Sequence, residues 1–168
     1  WDSNRDLRRD DGFYQISLRS DFELTGDITL TSITAYSSYN ENYSVDRDGT
    51  SLINAGVNAD GTVDSFSQEI RLAGETGIFN WLIGGNYATN DVVSANDILT
   101  GDSTNTAILP GGPYIAASTT TITQDIEDIA IFGNVEAILT DQFTVLAGTR
   151  YTETTNDYTS CMRGDFGM

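Results

Sequence analysis

The sequence predicts an all-β fold, an antiparallel meander of about six long strands. Three observations lead to this prediction. Apolar and polar residues alternate with a period of two over long stretches, which is typical of strands with one apolar face. Short turns alternate with long polar connections along the chain. Both prolines, Pro110 and Pro113, lie in one of these connections, so the predicted strands contain no proline.

The lengths of the connections refine the prediction. The predicted strands cover residues 13–24, 28–43, 65–73, 79–91, 122–139 and 143–151. Short turns lie near residues 25–27, 73–78 and 140–142, long polar connections cover residues 40–64 and 92–121, and the stretch after residue 152 is polar again. Tight turns at one end of the strands and long loops at the other are typical of outer-membrane β-barrels, in which a tilted strand needs about 9–11 residues to cross the bilayer.

The alternation assigns side chains to two faces. On a membrane barrel we expect one apolar set to face lipid: Ile16, Leu18, Ile70, Leu72, Trp81, Ile83, Val135, Ala137, Val145 and Ala147. We expect a polar set to face a wet lumen: Gln15, Arg19, Glu69, Arg71, Glu136 and Arg150. Aromatic residues near the ends of the apolar stretches fit the girdles of such barrels, although aromatic residues are frequent in any strand.

Composition excludes several functions. The 168 residues include 25 acidic and 8 basic side chains, a formal charge of −17, which argues against a nucleic-acid partner. The chain has no histidine, so the commonest general base and transition-metal ligand are absent. No nucleophile motif is present. We therefore expect no enzyme activity, no catalytic residue and no cofactor.

Two local features, an acidic stretch and a single cysteine, give little information about function. The acidic stretch that begins at Asp46 and includes Asp48 and Gly49 suggests a calcium loop, but its spacing does not fit an EF-hand, so we expect a solvated loop without a metal site. The single cysteine, Cys161, cannot form a disulfide within the chain. It either pairs with a cysteine beyond Met168 or is a free thiol in a loop.

Several segments, in this order and spacing, resemble the barrel of TonB-dependent outer-membrane receptors. They are Ser-Ile-Thr-Ala-Tyr at 32–36, Phe-Ser-Gln-Glu-Ile-Arg-Leu-Ala at 66–73, Trp-Leu-Ile-Gly-Gly-Asn-Tyr at 81–87, Ile-Phe-Gly-Asn at 131–134, and the stretch 139–152 from Leu-Thr-Asp-Gln-Phe to Arg-Tyr-Thr. The resemblance covers roughly residues 13–155. Each motif is weak alone, and their succession is fairly specific.

The resemblance implies a 22-stranded transmembrane barrel with an N-terminal plug. Residues 1–168 would then be a partial barrel without the plug and the remaining strands. It also implies uptake of a scarce nutrient, such as an iron–siderophore complex, across the outer membrane of a Gram-negative bacterium. The implied partners are outer-membrane lipid, a small nutrient ligand, and a TonB-type energy-coupling protein that acts through the plug. The alternatives are a porin-like barrel and a soluble β-sandwich binding module.

The same resemblance suggests where a ligand is met, since external loops capture the substrate in this family. The connection 92–121 is long and almost uncharged. Near its centre Leu109, Tyr114 and Ile115 flank Pro110 and Pro113. Loops of this length in ordered proteins are usually functional or disordered. We expect these three apolar residues to contact a ligand; the alternative is that the loop only shields the barrel mouth.

Overall fold

The computed structural model describes residues 3–103 and 114–167, which form one antiparallel sheet. Its six strands are β1 (Arg8–Thr25), β2 (Ile28–Asp46), β3 (Gly56–Thr76), β4 (Phe79–Leu99), β5 (Tyr114–Thr140) and β6 (Phe143–Gly167). They lie in the order of the sequence, each paired with its neighbours in the chain. The predicted all-β meander is therefore confirmed. None of the described residues forms a helix that is long and apolar enough to span a membrane.

The three short turns are where the alternation predicts them. Two-residue connections at 26–27, 77–78 and 141–142 join β1 to β2, β3 to β4 and β5 to β6. Gly77 has a φ of 63°, in the left-handed region that most other residues avoid. These turns all lie at one end of the sheet, because strands joined by tight hairpins run antiparallel.

The long connections are shorter than predicted. The connection between β2 and β3 covers residues 47–55 rather than 40–64, and β4 continues to Leu99, well into the predicted loop 92–121. The polar stretch after residue 152 is also strand, as β6 continues to Gly167. Segments rich in Ser, Thr and Asn extend the ladder because their backbone groups find partners: those of β4 pair with β3 and β5, and those at the end of β6 pair with β5.

The sheet is a single layer and has almost no hydrophobic core. Among the described residues the buried apolar side chains are Val57, Ala59 and Ala130, and no large side chain is fully buried. A soluble sheet buries its apolar face against a second layer. No second layer is formed by the described part of this chain, so the apolar side chains of the sheet remain exposed.

Candidate functional surfaces

The strand register assigns every side chain to one of two faces. Ile83 lies opposite Leu72 and Gly133 on one face, and Glu69 lies opposite Ile33 and Asn86 on the other. We call them the Ile83 face and the Glu69 face. All ten residues predicted to face lipid lie on the Ile83 face, and all six predicted to face a lumen lie on the Glu69 face.

The apolar face is the more exposed one. Along β5 the side chains of the Ile83 face are exposed from Thr121 to Ile131, whereas those of the Glu69 face between them are half-buried or buried. Ile131 is 65% exposed and the adjacent Ala130 is 2% exposed. Side chains diverge on the convex side of a curved sheet and converge on the concave side. The alternation therefore indicates that the Ile83 face is convex.

A line of aromatic residues ends the apolar band on the Ile83 face. The continuous band ends on successive strands at Tyr14, Tyr36, Phe66, Tyr87, Ile129 and Tyr151; on β4 one more exposed apolar residue of this face, Val93, lies beyond Asp91. The line crosses the strands obliquely: Tyr36 lies opposite Ile16, two residues from Tyr14, and by β6 the displacement is six residues. Six residues at about 3.4 Å cover ~20 Å, and five strand spacings of about 4.8 Å cover ~24 Å. The line is thus inclined by about 40° to the perpendicular of the strands.

Carboxylates follow beyond this line. Asp64, Asp91, Asp125 and Asp157 are register partners on four neighbouring strands and form one row on the Ile83 face. Tyr36 donates a hydrogen bond from Oη to Asp64 Oδ1 at 2.9 Å. None of the ion pairs among residues 3–103 and 114–167 involves this row. So close a row of negative charges is expected only where water reaches it.

The lower part of the Glu69 face, nearer the short turns, carries the predicted charged residues. Glu69 and Arg71 form an ion pair along β3. Asn80 donates to Glu136 at 3.2 Å, and the Arg150 guanidinium lies 5.4 Å from the ring centre of Phe132. The structure does not bring Glu136 and Arg150 together: Arg150 is the register partner of Phe132, and Glu136 is that of Leu146.

The upper part of the Glu69 face is different, because the apolar pattern changes face there. In β3 the apolar residues Phe66, Ile70 and Leu72 lie on the Ile83 face, whereas Val57 and Val63 lie on the Glu69 face. The change occurs at Asp64–Ser65 without any shift in the register. β2, β5 and β6 show the same change, with Tyr39, Ile122 and Tyr158 on the Glu69 face.

Four apolar residues in the upper part of the Glu69 face are register partners on neighbouring strands: Phe13, Tyr39, Val63 and Val92. We call them the aromatic row. Next to it, Arg9 lies 5.6 Å from the ring centre of Tyr43 and forms an ion pair with Asp11 at 2.5 Å. The hydrogen bond to Asp11, and then that to Tyr39, raises the pKa of Arg9 above its usual value. Sequence reasoning missed this surface because the switch of phase was interpreted as a loop.

The predicted ligand residues lie elsewhere. Tyr114 and Ile115 begin β5 and pair with Gly167 and Phe166, so they belong to a strand rather than to a loop. Thr100 donates from Oγ1 to the Ile115 carbonyl at 2.8 Å, which fixes this strand end to the end of β4. Leu109 lies outside the described residues. A ligand role for these three residues stays a prediction.

Two carboxylates, those of Asp46 and Asp48, stabilise the connection between β2 and β3 by accepting hydrogen bonds from its backbone N–H groups. Asp46 Oδ1 accepts from the backbone N–H groups of Asp48 and Gly49, each at 3.1 Å. Asp48 accepts from Thr50 and, through Oδ2, from the Ala55 N–H at 2.7 Å. No group of three or more potential metal-ligating residues occurs in the described ranges. The acidic residues that suggested a calcium loop therefore cap backbone groups.

The sheet is similar in shape to parts of solved structures. The ferric yersiniabactin uptake receptor FyuA from Yersinia pestis matches with a TM-score of 0.65 over 96% of this chain, at 19% sequence identity. The match covers 24% of the receptor.

The sheet has the fold of part of a receptor barrel.

The predicted fold class is thereby confirmed. A further match, at 12% identity and a TM-score of 0.41, is the siderophore receptor PiuA from Acinetobacter baumannii; it covers 92% of this chain and 30% of that receptor. No protein-family model matches the chain, and no curated protein matches it significantly in sequence. This chain spans about a quarter of the length of FyuA.

Proposed function

We propose that this chain forms part of the barrel wall of a TonB-dependent receptor that takes up a scarce nutrient, such as an iron–siderophore complex, across the outer membrane of a Gram-negative bacterium. The Ile83 face contacts lipid, and the Glu69 face, with Glu69, Arg71, Glu136 and Arg150, lines the interior. The TonB-type coupling protein acts through a plug, and the wall performs no catalysis. The fold shared with FyuA supports the architecture.

The observation that carries the proposal is the inclination of the aromatic line. Strands of a closed barrel tilt by about 35–45° from its axis, and the membrane surface is perpendicular to that axis. A membrane boundary must therefore cross the strands at the same angle, and the line from Tyr14 to Tyr151 does so at about 40°. The apolar face of a soluble sandwich has no reason to end on such a line.

The height of the apolar band agrees with this placement. On β4 the band runs from Phe79 to Tyr87, eight residue steps or ~27 Å along the strand, which is ~21 Å along an axis tilted by 40°. Lipid-facing bands of outer-membrane barrels are about 25 Å tall. The row from Asp64 to Asp157 then lies in water outside the hydrocarbon, where its charges are hydrated.

Fluorescent labels test the lipid contact. The full-length protein is prepared in bilayers as a Cys161→Ser variant, and a single cysteine is introduced at Ile83 or Ile129. We expect spin-labelled lipid tails to quench both labels. Asn86→Cys, at the same level on the Glu69 face, and Asp125→Cys, beyond the aromatic line, are the matched controls and should not be quenched. Quenching at Asn86 equal to that at Ile83 would exclude the assignment of faces.

Energy dependence separates the receptor from a porin-like barrel, which shares the tilted wall. Uptake of a panel of radiolabelled ferric siderophores is measured in cells with and without the protein, before and after the proton gradient is collapsed. We expect uptake of at least one of them to require both the protein and the gradient. Uptake that survives loss of the gradient would identify a passive pore.

A further inference from the structure

A small hollow lies directly below the aromatic row on the Glu69 face. It has a volume of about 200 Å³. Its lining is uncharged and consists of seven residues of the Glu69 face together with Tyr36 and Phe66 of the same strands: Gln15, Ala35, Ser37, Ser65, Ser67, Ala88 and Asn90. An apolar cavity of about 150 Å³ holds one benzene molecule. The hollow is therefore large enough for one substituted ring.

The polar groups of the hollow are neutral donors and acceptors. Ser65 donates from Oγ to Asn90 Oδ1 at 2.7 Å, which leaves the Asn90 amide NH₂ group to meet an acceptor on a ligand. The Gln15 amide and the Ser37 hydroxyl lie in the same cross-strand row as Ser65 and Asn90. A mixture of this kind, a few convergent neutral polar groups beside apolar and aromatic side chains, is typical of small-molecule sites.

Charge is scarce on this part of the face, although the chain has a net charge of −17. From the row of Gln15 upward, the charged side chains on the described strands of the Glu69 face are Arg9, Asp11 and Glu41. Arg9 is 2.5 Å from Asp11 and 3.9 Å from Glu41, so its charge is already paired. No unpaired cation is therefore available here to neutralise an anionic ligand.

We propose that the aromatic row and the hollow below it bind a small ligand with an uncharged aromatic or heteroaromatic ring that carries a hydrogen-bond acceptor. The ring stacks against Tyr39 and Phe13, and the acceptor meets Asn90 and its neighbours. This inference rests on the proposed function, since it takes the Glu69 face as the barrel interior. It makes the nutrient a neutral, ring-bearing compound and excludes a polyanion at this position.

Two isosteric probes test the charge preference. Salicylamide is neutral and salicylate is an anion at mildly acidic pH, while ring and size are shared. Their binding to the full-length protein in nanodiscs is measured by saturation-transfer NMR. We expect salicylamide to bind and salicylate to bind about tenfold more weakly or not at all. We expect Asn90→Lys to reverse this preference. Equal binding of both probes to the wild type would overturn the proposal.

Matched variants locate the site. Tyr39→Ala should weaken salicylamide binding about tenfold, the effect expected for loss of an aromatic contact. Tyr39→Phe, which keeps the ring and removes only the hydroxyl, should bind like the wild type. Tyr151→Ala removes a tyrosine of the Ile83 face on β6, away from the hollow, and should change nothing. An equal loss of binding in Tyr151→Ala and Tyr39→Ala would contradict the assignment.

A segment of the protein itself could also cover the aromatic row. The accessibility of position 39 to a reagent in solution distinguishes this occupant from a ligand. Tyr39→Cys in the Cys161→Ser background is treated in whole cells with a membrane-impermeant maleimide. We expect the maleimide to label this cysteine in the absence of ligand, and salicylamide to protect the cysteine from labelling. A residue that stays unlabelled would show that protein covers the row, and the ligand proposal would fall. If the lipid-quenching pattern at Ile83 and Asn86 still holds, the proposed receptor function stands without it.

Discussion

Tyr36 and Tyr39, three residues apart on β2, point to opposite faces of the sheet. Tyr36 lies on the aromatic line of the Ile83 face, 5.9 Å from Tyr14 between ring centres, and donates to Asp64. Tyr39 belongs to the aromatic row of the Glu69 face, and its hydroxyl lies 3.4 Å from Glu41. β2 thus contributes to two apolar surfaces. One is the apolar band of the convex Ile83 face, below the aromatic line, and the other is the aromatic row of the Glu69 face, above the level of that line.

A charge in the middle of the apolar band should be costly. Ile83 is halfway between Phe79 and Tyr87 and is 58% exposed. We expect Ile83→Arg to lower the free energy of unfolding of the full-length protein in lipid by about 2–4 kcal/mol. Thr123→Arg, on the same face but beyond the line, should cost less than about 1 kcal/mol. Guanidinium titration in vesicles measures both. A cost at Ile83 no greater than that at Thr123 would contradict lipid contact.

Two adjacent glycines on β4, Gly84 and Gly85, should differ in how well they tolerate substitution by alanine. A Cβ at Gly84 would lie 2.8 Å from the Ile70 carbonyl oxygen and 2.6 Å from Cζ of Phe132, whereas a Cβ at Gly85 would come no closer than 3.5 Å to the Ala130 carbonyl. We expect Gly84→Ala to destabilise by about 1–3 kcal/mol because Phe132 and the backbone must shift. Gly85→Ala should be near neutral. The same titration measures both, and equal effects would refute the close approach at Gly84.

The turn at Gly77 should depend on its left-handed conformation. Because its φ is 63°, Gly77→Ala is expected to cost about 1–2 kcal/mol. Gly26, in the neighbouring turn, is not among the residues with positive φ, and a Cβ there would meet nothing within 4 Å. Gly26→Ala is therefore the matched control and should be tolerated. Thermal unfolding of both variants measures the difference. An equal loss of stability in the two variants would rule out the left-handed conformation of Gly77 as the cause.

Acid should loosen the connection between β2 and β3. The hydrogen bond from the Thr50 side chain, with those from backbone N–H groups of the loop, lowers the pKa of Asp48 below its usual value of 3.8. A carboxylate with a lowered pKa stabilises the folded loop above pH 3.8, and this contribution is lost as the pH falls through the lower, folded-state value.

Hydrogen exchange at the Thr50 and Ala55 amides measures this effect, since both donate to Asp48. The protection of these amides, relative to intrinsic exchange at each pH, should fall on acidification. In Asp48→Asn it should already be lower at neutral pH and depend less on pH. Protection that is unchanged in Asp48→Asn would show that the carboxylate does not hold the loop.

Below the line from Tyr14 to Tyr151 the strands could be predicted because one face is apolar throughout, which keeps the period of two in phase. The phase fails at Asp64–Ser65 and beyond Glu127, where neither face is uniformly apolar. There Thr and Ser continue the ladder, as at Thr119–Thr123, and composition alone suggests a loop. The aromatic row could have been found from the alternation of Val57, Ala59 and Val63, had a change of face been considered.

The open sheet has a consequence for handling the chain by itself. Its two outer strands, β1 and β6, are 18 and 25 residues long, and within residues 3–103 and 114–167 each leaves one row of backbone N–H and C=O groups without a strand beside it. Long unprotected edges are templates for further strands, and the charged residues of β1, such as Arg8 and Asp21, lie near its two ends and leave residues 12–18 uncharged. In water, residues 1–168 alone should therefore assemble edge to edge into filaments, and their production should need detergent or the rest of the barrel wall.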